Sequence, residues 1–383
     1  MDVVESITAN SFTTREQVDA FMAEFGVVLR KHPPLPIVVP DFIVFLREND
    51  IPPPVVRRCV EHIRRGTELY DPANRAHPRS HAWPATLDGL ADRLFWSQPS
   101  KFIDRSTPIA SMGSCFAVEI AYWLQQNGFN YVVTEPNPQN EIQQASARWG
   151  LIYSTANVKQ VIEWAFGEDS PPIAVCPTGE ALPRGILRDD AWADLFRCDL
   201  IYTNSGAANA RRTWDDHLAR SRAALESCEV LVVTVGLNEV FRWLPTGHYT
   251  HRAPTRLNPA LWQEEILTVR QNVDFLASAV ATLRKHNPWV KIIATVSPVP
   301  LIKTFRRDAD VVSATSHSKA VLRVALEELA RTVSDFHYMA SYETVMYPGS
   351  TPTVWEDDAR HVDRETIGKV MRLFQAQFCV ETA

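Results

Sequence analysis

From about Lys101 onward, short apolar runs alternate with segments whose apolar positions recur every three or four residues. The runs Ile109-Ala110, Tyr131-Val132-Val133, 230–235 and 291–296 are bounded by turn residues and predict strands. The recurring segments predict helices over 117–126, 157–166, 216–226, 261–284 and 316–333. This alternation predicts a mostly parallel sheet with helices on both faces, a three-layer α/β/α sandwich. In such sheets reactive groups collect at the carboxyl ends of the strands.

Residues 1–100 read differently. Thr13-Thr14-Arg15-Glu16 resembles a capping box ahead of Val18, Phe21, Met22 and Phe25. Further helical patterns run through 42–46 and 55–63, each after a proline-rich turn. The stretch 70–84, with Asp71-Pro72, His77-Pro78 and Trp83-Pro84, lacks periodicity and reads as a connector. The expected organisation is a helical N-terminal region over 1–100, serving as a cover or a partner surface, and a catalytic domain over 101–383.

Composition narrows the function. The 383 residues carry a formal charge of -6 with basic and acidic side chains interspersed, which argues against a nucleic-acid partner. The six cysteines, Cys59, Cys115, Cys176, Cys198, Cys228 and Cys379, are widely spaced without a CxxC pair and are expected as free thiols. The N-terminus has acids where a secretory signal needs lysines, and no apolar run is long enough to span a bilayer, so a cytoplasmic protein without a membrane partner is expected. His248 and His251 share a loop, but a two-residue gap suits no shared face, and neither a metal nor a cofactor is expected.

The chemistry concentrates where predicted strands end. Ser114 and Cys115 follow Gly113 at a strand-to-helix turn, where unpaired backbone N–H groups and the positive end of the helix dipole favour a thiolate or an oxyanion. Gly236-Leu237-Asn238-Glu239 follows the strongly apolar 230–235 run. Near the C-terminus, Asp358 precedes His361 by three residues, a spacing that sets a carboxylate on one imidazole nitrogen and leaves the other for a nucleophile. Asn238 is a candidate amide donor to an oxyanion. Tyr153, Arg148 and Arg242 are candidates for lining a substrate cleft, and Arg306-Arg307 for meeting an anionic acyl carrier. Asp189-Asp190 and Asp215-Asp216 read as solvated carboxylates.

Gly113-Ser114-Cys115-Phe116-Ala117 reads as the signature of the GSCFA family, which the chain resembles over roughly residues 100–365. The runs 147–153, 234–239, 295–301, 317–323 (HSKAVLR) and 358–361 (DARH) add to the resemblance. The family is similar to the SGNH, or GDSL-like, hydrolases. That relationship implies a flavodoxin-like sandwich, an oxyanion site built with Gly236, Asn238 and Gly150, and Asp358 with His361 as the closing Asp-x-x-His. An ungapped match of Gly-Asp-Ser makes Cys115 the nucleophile; a shift of one residue makes it Ser114.

The residues thus point to acyl transfer on a small-molecule or carrier-bound acyl substrate. Cys115, or Ser114, would carry the acyl group, His361 would act as base and Asp358 would orient it. An esterase, a thioesterase and an acyltransferase share this first half-reaction. The alternative is a binding module that keeps the fold without the chemistry.

Overall fold

A computed structural model describes residues 86–91, 100–137, 144–177, 191–197, 201–203, 206–251, 253–254, 257–351 and 353–380. The N-terminal helices expected over 13–63 and the connector at 70–84 lie outside the described residues. After the short helix α1 (Leu87–Ala91), strand β1 (Ile109–Gly113) leads into helix α2 (Cys115–Gln126). Helix α3 (Thr155–Phe166) follows, then an antiparallel excursion of β2 (Val175–Pro177), β3 (Ala191–Asp194) and β4 (Ile201–Thr203), and helix α4 (Gly206–Ser227).

Strand β5 (Val230–Val235) opens a second excursion, β6 (Glu239–Trp243), β7 (Tyr249–Thr250) and β8 (Trp262–Ile266), paired in the order β7-β6-β8. Helix α5 (Val269–His286), strand β9 (Lys291–Val296), helix α6 (Val311–Thr332), strand β10 (Phe336–Tyr338) and helices α7 (Ser341–Met346) and α8 (Arg364–Phe378) complete the chain.

The central sheet is parallel, in the order β1-β5-β9-β10. Every residue of β1 and β5 is buried. Because successive side chains point to opposite faces, unbroken burial requires cover on both, which is why β5 reads as an almost unbroken apolar run. Helix α2 packs with α8, while α3 packs with α4 and α5, and α5 with α6. The α/β sandwich expected from the sequence is the observed fold. The core joins Ile109, Met112, Val230, Val232, Ile292, Ile293, Leu322 and Phe374, among others.

Three expected elements changed: the helix expected over 216–226 runs from Gly206 to Ser227, and two others shifted more. The run at 131–133 makes only a parallel bridge from Tyr131 to Ile109, closed by Ile109 N–H donating to Asn130 O at 2.9 Å and Val132 N–H donating to Ile109 O at 2.8 Å. The bridge ends as Thr134 turns away to Ser146 O. The helix expected over 261–284 begins at Val269, because Thr268 and Gln271 form a reciprocal capping box and 262–266 pairs instead with β6. Among the described residues no helix is long and apolar enough to cross a membrane.

Candidate active site

Register brings the predicted motifs together. Gly113 pairs with Thr234, Thr234 with Thr295 and Val235 with Val296, so the segments after β1, β5 and β9 emerge side by side at one end of the sheet. Gly113 has φ +144°, and a Cβ there would stand 2.2 Å from Thr234 O and 2.3 Å from its Oγ1. Only glycine lets β1 approach β5 this closely as the chain turns into α2.

Ser114 caps that helix. Its Oγ accepts from Phe116 N–H at 3.3 Å and lies 3.2 Å from Thr234 Oγ1, while its N–H donates to Thr234 Oγ1 at 2.9 Å. The side chain is 2% exposed. Cys115 is the first residue of α2, where helix geometry supplies no carbonyl for the backbone N–H. It is a free, partly buried thiol opening into a cavity of about 350 Å³. Leu237, Phe241, Val299 and Leu301 give that cavity apolar walls; Ser114, Tyr153, Gly236, Ser297, Lys303 and Arg360 also border it.

The thiol's ionisation departs from expectation. Burial raises the Cys115 pKa above its ordinary value, and the charges that pull it back down are those of Arg360 and Lys319. Burial thus works against the thiolate that the helix N-terminus was expected to favour. Desolvation of a charged sulfur outweighs the helix N-terminus here. Two other free cysteines, Cys228 and Cys379, are pushed up by burial to about 12 and about 11.

Asp358 and His361 meet as the three-residue spacing predicts. His361 Nδ1 stands 2.5 Å from Asp358 Oδ2, and Asp358 Oδ1 accepts the N–H groups of Arg360 and His361, each at 2.9 Å. These bonds, led by the His361 N–H, hold the Asp358 carboxyl down at about 2. The intervening turn is tight enough to force Ala359 to φ +55°. The second imidazole nitrogen, Nε2, faces Arg360 Nη1 at 3.3 Å. Arg360 thus touches the imidazole and also borders the cavity into which Cys115 opens. On α2, Glu119 lies one turn beyond Cys115; burial raises its pKa, while Arg364 and His361 pull the other way.

The oxyanion candidates separate. Asn238 is fully buried, its Nδ2 donating to Leu267 O at 3.1 Å and its Oδ1 accepting from Ser318 Oγ at 2.5 Å, so its amide braces β5 against α6 and the start of α5. Gly236 borders the Cys115 cavity, but its N–H and that of Leu237 donate to Tyr153 O at 2.8 and 3.1 Å. Gly150, with φ +73°, lines a different cavity together with Gly113, Glu135 and Arg148. Arg242 pairs with Glu265, Arg306 with Asp308, and His248 with Asp169. No group of three His, Cys, Asp or Glu side chains suited to a metal occurs among the described residues.

Two residues at this site escaped the sequence reading. Arg360 lay inside the Asp-x-x-His run as an unremarked spacer. Lys319 is 1% exposed, and its Nζ donates to Gly236 O at 2.9 Å and Val299 O at 2.7 Å. Burial lowers its pKa to about 7. Its signal was positional: it falls three residues before Leu322 and seven before Leu326, on the stripe that α6 buries.

The GSCFA family model matches residues 108–374. The chain belongs to the GSCFA family. The match spans all four strands of the parallel sheet and every residue of the cluster around Cys115 and His361. No curated protein matches this GSCFA chain. Among solved structures it is similar to a carbohydrate esterase family 2 enzyme with a carbohydrate-binding domain from Corynascus thermopiles (Myceliophthora fergusii), with 14% identity, TM-score 0.28, and coverage of 72% of this chain and 66% of that one. It is also similar to a carbohydrate acetylesterase family member from Sinorhizobium meliloti, with 15% identity, TM-score 0.28, and coverage of 70% and 95%.

Proposed function

We propose that this GSCFA-family protein is an acyl-transfer enzyme, an esterase, thioesterase or acyltransferase, that forms a thioester on Cys115. The observation that carries the reading is the thiol itself: a free cysteine at a helix N-terminus, at the carboxyl end of a parallel sheet, opening into a largely apolar cavity that also holds a guanidinium. Ser114 is the weaker nucleophile, because its hydroxyl is buried and engaged with Phe116 N–H and Thr234.

In the proposed reaction Cys115 Sγ attacks the carbonyl carbon of the acyl donor as its proton passes to His361 Nε2. Because burial disfavours the charged sulfur, attack and proton removal are coupled. Turning Arg360 onto the substrate frees Nε2 for that proton. The Cys115 N–H donates to the oxyanion, and Asp358 steadies the imidazolium. Collapse breaks the bond to the leaving alcohol or thiol, which takes the proton back from His361. Water or another acceptor then attacks the thioester by the same steps and regenerates the thiol.

The test is intact-protein and peptide mass spectrometry after incubation with activated acyl esters and thioesters. An acyl adduct on the Cys115 peptide, retained in Ser114→Ala and lost in Cys115→Ala, is the expected result. Loss only in Ser114→Ala reassigns the nucleophile to serine. Absence of an adduct in every variant points to a non-catalytic binding module.

A further inference from the structure

Lys319 is buried in the middle of α6 with no carboxylate among the described residues within ion-pair distance, and its hydrogen bonds go to two backbone carbonyls, Gly236 O and Val299 O. An ammonium has three protons to donate, and carbonyl dipoles do not neutralise its charge. A lysine placed in this way sheds its proton or finds an anion. Among the described residues, the group able to become an anion that acts on this lysine is Cys115. The Cys115 sulfur is the group whose charge favours protonation of Lys319, and Arg360 opposes it; the lysine in turn favours the thiolate.

Geometry places the lysine beneath the nucleophile's cavity. A Cβ added to Gly236 would stand 3.7 Å from Lys319 Nζ, 3.5 Å from Ser297 Cβ and 3.9 Å from Ser114 Cβ, so one glycine separates the ammonium from the cavity floor. Ser297 Oγ, which also borders the cavity, is buried and has no hydrogen-bond partner among the described residues. The titratable or charged groups acting on Lys319 from the packed elements are Cys115 on α2 and Arg360 on the 355–362 loop. Ser114 and Ser297 contribute neutral hydroxyls.

We propose that Lys319 is the internal counter-cation of the Cys115 thiolate, a positioning residue that stabilises the reactive form of the sulfur while pinning the Gly236 and Val299 loops around it. The inference rests on the reading of Cys115 as the nucleophile. Ionised together, sulfur and nitrogen add no net charge to the interior, so burial opposes the pair less than it opposes either alone.

Alkylation by iodoacetamide tests this without any acyl substrate. The thiolate displaces iodide to form a thioether, so the rate of Cys115 labelling, read on its peptide by mass spectrometry, follows ionisation. The pH profile of labelling in Lys319→Met should move up by about one unit or more relative to wild type, read as about a tenfold or greater fall in labelling rate at a fixed pH below both midpoints, and Lys319→Arg should restore it. An unchanged profile in Lys319→Met overturns the inference.

A second measurement avoids perturbing the lysine. Coupling is reciprocal, so in 13C-lysine-labelled Cys115→Ser the Lys319 NMR titration midpoint should fall relative to wild type. An identical midpoint overturns the inference too. The two proposals fail separately: acyl adducts without a labelling shift reject only the counter-cation, and a labelling shift without adducts rejects only acyl transfer.

Discussion

The nucleophile and its proposed base occupy two environments of opposite character. Cys115 sits where β1, β5 and β9 end, partly buried between the buried Ser114 and Phe116 and close to a buried lysine. Asp358 and His361 sit on a surface turn, with side chains 46% and 44% exposed. The dry region imposes position through packing that tolerates no extra atoms, and it perturbs ionisation strongly. The wet region imposes position through a handful of local hydrogen bonds, and its groups share their charge with solvent. A substitution in the first region should therefore move stability and reactivity together, whereas one in the second should separate them.

The sharpest way to break the dry region is Gly113→Ala. The added methyl meets the Thr234 backbone oxygen at 2.2 Å and forces a side chain into a left-handed conformation. Backbone cannot yield as a flexible side chain can, so a loss of about 3 kcal/mol or more is expected, read as a fall in the urea midpoint. A midpoint equal to wild type would show that the approach of β1 to β5 is not a tight constraint.

Lys319 should give the next largest effect, and its sign depends on pH. The folded protein holds the group near 7, while an unfolded chain returns it to about 10.4. Between those values the unfolded state binds the extra proton, so the lysine's contribution to stability improves as pH rises through this window and is least favourable below 7. To remove coupling to the thiol, Cys115→Ser is compared with Cys115→Ser/Lys319→Met. The single variant should gain on the double variant by up to about 1.4 kcal/mol per pH unit between pH 7 and 10. A difference in stability independent of pH would mean that Lys319 keeps its proton when buried.

The two regions were also unequally legible in the sequence. The sheet was readable because Val230–Val235 and Lys291–Val296 are short, mostly apolar and β-branched runs of the kind a doubly covered strand presents. Asp358 and His361 were readable because their contact is local and follows from spacing alone. What escaped depends on packing across the chain. Whether Asn238 faces a substrate or braces helices is decided by Ser318 and Leu267, 80 and 29 residues away. Arg360 and Lys319 were hidden by residue type: charged side chains are read as solvated until burial is known. The strand expected at Tyr131 shrank to a bridge because its continuation turned toward Ser146, a partner no local pattern names.

Asp358 closes the comparison, since it should change stability least. Its carboxylate lies open to solvent, and its bonds to Arg360, His361 N–H and Nδ1 are confined to one turn. Depression to about 2 means that whatever these bonds contribute is present above the ordinary carboxylate range and is lost as pH falls toward 2. At neutral pH, Asp358→Asn should leave the urea midpoint where it was. Its rate of acyl-adduct formation should nonetheless fall by about 10²-fold or more, because an amide no longer selects the imidazole tautomer with Nε2 free to accept a proton. Wild-type acylation in this variant would remove the Asp358–His361 pair from the mechanism. If acylation then fell in Lys319→Met instead, ionisation of the nucleophile would be governed from inside the fold, and the surface turn would serve mainly to hold Arg360 at the cavity.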